Sequence, residues 1–303
     1  MNLLISGSSG LIGSALSHRL EAHGHKVIAL VRPGTKASSR ASVSWDPKLE
    51  RIDLEALSSL DPIDCVIHLA GAGVADKRWN TKRKEEILES RVRSTGTLAR
   101  AIAAMSPRPA TFISASAIGF YGNRGDELLD ETSAQGSGFL AEVCAAWEQA
   151  TAPAQAAGVR VAHLRTGIVL DPSGGALAKQ LPLFKAGVGG KLGSGKQWMS
   201  WISMDDELRA IEVVLQNPAI SGPVNLTAPG CVTNADFTKT LGHVLRRPVL
   251  MSVPKLALAT ALGSELVEEA ILASQRVAPS VLLDAGFSFD HPQLEGALAA
   301  LLG

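Results

Sequence analysis

A chain of 303 residues with 29 Lys+Arg against 29 Asp+Glu carries no formal net charge. It shows no basic patch, which argues against nucleic acid as its main partner, and its length suits one large domain or a core domain with an added lobe. Cys65, Cys144 and Cys231 are odd in number and form no CxxC pair, and neither a signal peptide nor an apolar run of about 18 residues is visible, so a reduced, cytoplasmic protein without a membrane span is expected.

Asn2–Ser6 is a short apolar run and reads as a buried strand. Gly7, Gly10 and Gly13 follow at three-residue spacing. Leu11, Ile12, Ala15, Leu16 and Leu20 then make a helical stripe that Gly24 closes, and Val27–Val31 is a second buried strand. A glycine triplet between a strand and a helix, with a second strand beyond, is the context of a dinucleotide site. Gly7 allows the tight turn, Gly10 lets the backbone approach a pyrophosphate, and Gly13 lets the helix pack close to the sheet. The helix N-terminus offers free N–H groups to the phosphates.

An NAD site usually has an acid at the end of the second strand, for the ribose 2′-hydroxyl. This chain has Val31-Arg32-Pro33, and its next acid is Asp46. Arg offers a planar fork of donors to a 2′-phosphate, so the expected cofactor is NADP(H).

His23 and His25 flank Gly24 without further ligands nearby, so no metal is expected. Cys65–Gly71 is another buried strand ending in small residues. Lys82–Glu86 mixes signs and reads as a solvated helix face, leading into a helix over Glu85–Met105. Thr111–Ala115 is a strand, Phe139–Ala150 a helix and Val159–Arg165 a further strand. Strands alternating with helices predict an α/β fold: a Rossmann-type, doubly wound parallel sheet. Ligands in such sheets sit at the C-terminal strand ends, where Gly7, Arg32, Gly71 and Ser116 fall.

After residue 170 the chain becomes loop-rich. Gly187–Gly195, with Gln197, Trp198 and Trp201, reads as part of a smaller C-terminal substrate lobe, a cover built on loops. A helix begins near Asp205, with Asp205 and Asp206 as its cap. Apolar helical stretches fill the residues from about 247 onward.

Gly7-Ser-Ser-Gly-Leu-Ile-Gly13, His68-Leu-Ala-Gly71, Ile87-Leu-Glu-Ser-Arg91, Ser114–Gly122, Leu164–Leu170, Gly193–Ile202 and Gln275-Arg-Val-Ala-Pro279 together resemble the extended epimerase/dehydratase branch of the short-chain dehydrogenase/reductases. More narrowly, the chain resembles an atypical "epimerase family" with a C-terminal domain of unknown function. The resemblance implies a nucleotide-binding domain over 1–225 and a family-specific helical region over 247–303. It also implies NADP(H) contacts at Gly7, Ser9, Gly10, Leu11, Ile12, Gly13, Val31, Arg32, Leu69, Ala70, Gly71, Glu86, Arg91 and Ile168. Arg91 makes sense independently, as a cation on the helix after the Gly71 strand that could meet a phosphate.

The superfamily's chemistry uses a Ser, then a Tyr and a Lys four residues apart on the next helix. Ser116 fits the Ser position, but the Tyr-x-x-x-Lys window falls on Phe139-Leu-Ala-Glu-Val143. Phe139 has no acidic proton and Val143 no charge, so the usual proton relay is absent. Tyr121, the only tyrosine, is a substitute acid in one reading and packs beside Phe120 in the other; Lys196 reads as a mobile cation to assist it or as a solvated lysine. Glu127, Asp130 and Glu131 read as exposed loop acids. Two functions follow: an NADP(H)-dependent oxidoreductase or isomerase on a small polar substrate, sugar derivatives included, or a non-catalytic NADP(H)-binding redox sensor or scaffold. The Phe139/Val143 pair favours the second and the loop-rich cover the first. The substrate, other partners and oligomeric state are not specified by the chain.

Overall fold

The computed structural model describes residues 1–35 and 40–303. Among these, an eight-stranded sheet is built from β1 (Asn2–Ser6), β2 (Lys26–Val31), β3 (Ser42–Asp46), β4 (Arg51–Ile52), β5 (Cys65–His68), β6 (Thr111–Ala117), β7 (Arg160–Thr166) and β8 (Gly222–Leu226). Their spatial order is β8-β7-β6-β5-β1-β2-β3-β4. All neighbours run parallel except β3 and β4.

Helices α1 (Leu11–Ala22), α2 (Thr81–Ala104), α3 (Phe139–Gln149) and α4 (Met204–Gln216) make crossovers between strands. A sheet covered on both faces needs strands apolar on both sides, and β5 is buried at every residue. Successive β1 side chains enter opposite cores, as the two-residue period requires. Leu3 and Ile5 join Leu16, Leu20, Leu208 and Ile211 on one face. Leu4 joins Ile28, Leu98 and Ile102 on the other.

Ser6 lies opposite Leu30 in β2 and His68 in β5. These three strands therefore end level, and the loops that leave them meet. The strand order also reverses here, with β2 on one side of β1 and β5 on the other, which opens the crevice where such sheets bind ligands.

Three local expectations change. Helix α2 starts at Thr81, four residues before Glu85, because the Asn80 side chain accepts the Arg83 N–H at 2.8 Å and caps it. Within the charge run, Arg83 is 7% exposed rather than solvated: it pairs with Glu86 and donates to the Gly73 carbonyl. Helix α4 is capped by Ser203, not by an Asp; the Ser203 hydroxyl accepts the Asp206 N–H at 3.1 Å. Asp206 instead accepts from the backbones of Asp290 and His291, at 2.8 and 2.9 Å.

The C-terminal region is laced into the core. Met251–Val253 pairs with Gly190–Leu192, and Arg276–Val277 with Leu128–Leu129. A third core joins Phe184, Trp201, Phe237, Leu294 and Leu298. Trp201 is fully buried and donates to the Gly230 carbonyl at 2.9 Å, and Gln197 is buried and donates to the Leu192 carbonyl. Of the three residues expected to cover a substrate, only Trp198 is partly accessible.

Candidate cofactor and active site

Gly7 leaves β1 with φ +73°, which glycine adopts without strain. A Cβ on Gly7 would lie 2.8 Å from the Ala70 nitrogen, so this loop touches the backbone that follows β5. The Gly10 N–H donates to the Gly7 carbonyl at 2.9 Å. A Cβ on Gly13 would lie 2.2 Å from that carbonyl oxygen, whereas one on Gly10 would meet only the same oxygen, at 3.3 Å. Gly10 is also the N-cap of α1 and brings no capping side chain. The first-turn N–H groups of α1 are therefore left for a ligand, which fits the pyrophosphate of a dinucleotide.

Val31 ends β2 half-buried, and Arg32 follows it exposed. Among the described residues the Arg32 guanidinium makes no ion pair. Leu69, Ala70 and Gly71 form the opposite wall of the crevice. Arg91 is buried behind that wall, donating to the carbonyls of Ala72 (2.9 Å) and Ile87 (3.0 Å) and stacking on Trp147. It stiffens the wall, with its Nη1 committed to these two carbonyls. Glu86 is exposed, and the hydrogen bond from Arg83 holds its carboxyl below the usual range. Ile168 lies half-buried on a short strand paired with Trp201. Leu11 reaches across to Gly174, whose Cβ position is 2.8 Å from its side chain. Ser9 is exposed and Ile12 half-buried.

The two hydroxyls expected at the chemistry are both committed inside the protein. Ser116 faces inward on β6, between half-exposed Ala115 and Ala117, and donates to Glu148 Oε1 at 2.7 Å. Tyr121 is fully buried; its hydroxyl donates to Asn225 Oδ1 at 2.7 Å and accepts from Arg165 at 3.1 Å. Burial pushes its phenol above the ordinary value. Tyr121 is thus a core residue beside Phe120, at 5.5 Å between ring centres, and not a substitute acid. Lys196 is exposed and not among the partners of the Tyr121 hydroxyl.

Between Ser116 and Tyr121 lies a pair that sequence reasoning missed. Arg165 and Glu148 meet through two hydrogen bonds, 2.8 and 2.9 Å, and the guanidinium also lies 3.5 Å from the Phe120 ring centre. The available signal was a charged residue at the end of an apolar strand, since buried Arg is rare without a partner. Glu131 was misread in the same way. Glu127 is exposed as expected, but Glu131 is buried and accepts the N–H groups of Asn225 and Val281.

His68 is buried between Ser6 and Ser94, and burial holds its imidazole down at about 3, so it stays neutral. Glu207 is buried on α4, takes one hydrogen bond from Thr166 at 3.0 Å, and leaves its second oxygen unpartnered. Burial raises its carboxyl to about 8. A raised folded value makes its contribution to stability greatest below the unfolded value of about 4.3. The contribution then declines as pH rises through about 8. Melting curves from pH 5 to 9 are expected to fall more for the wild type than for Glu207→Gln; parallel curves would refute this.

Among the described residues no group of three His, Cys, Asp or Glu could hold a metal, and no helix is long and apolar enough to cross a membrane. Residues 3–226 match the model of the NAD dependent epimerase/dehydratase family. The chain belongs to that family. Residues 253–301 match a domain of unknown function, DUF1731. An epimerase family protein of Mycobacterium bovis is 45% identical over 97% of this chain and 95% of its own length. One from Arabidopsis thaliana, named as chloroplastic, is 36% identical over 100% of this chain and 87% of its own. Among solved structures, the human epimerase family protein SDR39U1 with NADPH superposes with TM-score 0.87 at 28% identity, covering 99% of both chains. A Corynebacterium glutamicum protein described as a nucleoside-diphosphate sugar epimerase superposes with TM-score 0.79 at 41% identity, covering all of this chain and 58% of that one. This family member is thus an NAD(P)-binding protein of the short-chain dehydrogenase/reductase type.

Proposed function

We propose that the chain is an NADP(H)-dependent oxidoreductase or isomerase acting on a small polar substrate of the sugar type. The observation that carries the cofactor choice is Arg32: an exposed guanidinium without an ion pair among the described residues, just past the end of β2, the strand paired with the one that runs into the glycine loop. The human relative solved with NADPH supports it, and the name of the C. glutamicum relative supports the substrate class. Gly7, Ser9, Gly10, Leu11, Ile12 and Gly13 would hold the pyrophosphate. Val31 and Arg32 would hold the adenosine end, and Leu69, Ala70, Gly71 and Ile168 would flank the rest. Bound there, the cofactor supplies or accepts hydride.

Arg32→Ala is expected to remove a charge-assisted contact of roughly 1.5–3 kcal/mol, weakening NADPH about 10–100-fold and leaving NADH unchanged. Calorimetric titration of both cofactors checks this. Equal binding of NADPH and NADH by the wild type would overturn the cofactor choice. Activity is tested by following NADPH oxidation against a panel of carbonyl and keto-sugar compounds. The commitment of Ser116 and Tyr121 to internal hydrogen bonds favours a second reading, a non-catalytic NADP(H) sensor. Tight NADPH binding with no oxidation across the panel would establish that reading.

A further inference from the structure

We propose that Glu269, from the C-terminal domain, is the group that transfers the substrate's proton in place of the missing tyrosine; this rests on the oxidoreductase reading above. Helix α3 begins at Phe139, where the relay's tyrosine would stand. Glu269 Oε2 accepts the N–H of Leu140, the next residue, at 2.9 Å across a separation of 129 positions. The preceding residue, Gly138, has φ +105°, and a Cβ there would lie 3.1 Å from the Glu269 carboxyl. The chain thus puts a residue without a side chain at the N-cap, where Ser, Asp or Asn would have capped the helix locally. The space it leaves is filled by a distant carboxylate.

The charges around it single out this acid. Glu265, Glu268 and Glu269 lie close together, and Glu265 pairs with Lys84 while Glu268 pairs with Lys255 at 2.7 Å. Among the described residues Glu269 makes no ion pair. It sits on a π-helical turn, Val267–Ile271, a distortion frequent at functional sites. Lys84 approaches the same position from α2, 4.6 Å from the Phe139 ring centre, and Trp79 packs edge-on against that ring. Residue 139 is therefore flanked by an unpaired carboxylate and an ammonium held by Glu265.

In the oxidising direction the Glu269 carboxylate takes the substrate's hydroxyl proton. The C–H bond on that carbon breaks, its hydride passes to NADP⁺, and the C–O bond becomes C=O. In the reverse direction the carboxyl returns the proton to the oxygen as hydride arrives on carbon.

Two measurements test the proposal. Glu269→Gln keeps an acceptor for the Leu140 N–H but cannot transfer a proton, so turnover of a substrate from the panel should fall at least about 10²-fold with the melting temperature unchanged. The second needs neither cofactor nor substrate. Tyr121 is the chain's one tyrosine and is buried, so phenolate absorbance in Phe139→Tyr reports residue 139 alone. Its phenol should titrate about one unit lower when Glu269→Gln is added, because a nearby carboxylate disfavours the phenolate. Full turnover by Glu269→Gln, or an unchanged phenol titration, overturns this inference alone. Absence of NADPH oxidation by the wild type across the panel overturns the oxidoreductase reading and this inference with it.

Discussion

Gly10→Val is expected to weaken NADP(H) binding at least about 10²-fold while the protein stays folded. The two halves of that result have separate causes. A Cβ on Gly10 meets only the Gly7 oxygen, at 3.3 Å, so a side chain there asks the loop to give by only a few tenths of an ångström. The branched side chain then occupies the groove at the N-terminus of α1, where the pyrophosphate must approach the backbone. Gly13→Ala is the contrasting variant. Its methyl would lie 2.2 Å from the Gly7 oxygen and 2.8 Å from the Gly7 carbonyl carbon. Neither is the end of a flexible side chain, so the loop itself must shift, at a cost of about 1–3 kcal/mol in stability. Calorimetry with NADPH and thermal melting separate the two. Near-native affinity in Gly10→Val would place the dinucleotide elsewhere.

Glu148→Leu should destabilise the fold by about 3–5 kcal/mol. Arg165 and Glu148 are 4% and 12% exposed at the side chain. Removing the carboxylate leaves a guanidinium with no counter-charge in contact, and it also takes the partner of the Ser116 hydroxyl. The double variant Glu148→Leu with Arg165→Met should recover much of the loss, because an apolar pair needs no desolvation of charge. Urea unfolding of the two variants checks both statements. If the double variant were as unstable as the single one, the cost would lie in packing rather than in the stranded charge.

The geometry of the glycine loop was legible because its signals are local. The turn at Gly7 and the steric limits at Gly10 and Gly13 depend on residues within one strand–helix unit, and Arg32 is read at the end of the next strand. Strands β5, β6 and β7 were legible as apolar runs with ends displaced by a few residues, and helix α2 begins earlier than its apolar stripe because Asn80 caps it. What failed is non-local. Ser116, and Tyr121 in one of its two readings, looked reactive by type and position, yet their hydroxyls are claimed by Asn225, Arg165 and Glu148, each from another element, and Tyr121 packs beside Phe120 as its other reading had it. Trp201 looked like a cover because its neighbours are loop-like, but those loops pack over a third core. Glu269 carried no signal in the chain, because its meaning depends on a contact with Leu140.

The lacing of the C-terminal region has a consequence for how the protein is made. Among the described residues Leu128–Leu129 finds its strand partner in Arg276–Val277, and the buried Asp206 carboxylate, which already accepts from Ser203 and Arg209, gains the N–H groups of Asp290 and His291 when that segment arrives. Tyr121, Ile118 and Leu129 likewise complete their small core with Val277. A nascent chain that has released the nucleotide-binding residues must therefore hold part of that half unfinished until the last segment is synthesised. At roughly 5–20 residues per second the wait lasts several seconds. During that interval apolar side chains and an unpaired strand edge stand open to chaperones and to other unfinished copies, so the protein's yield in a cell depends on residues far along the chain from the glycine loop.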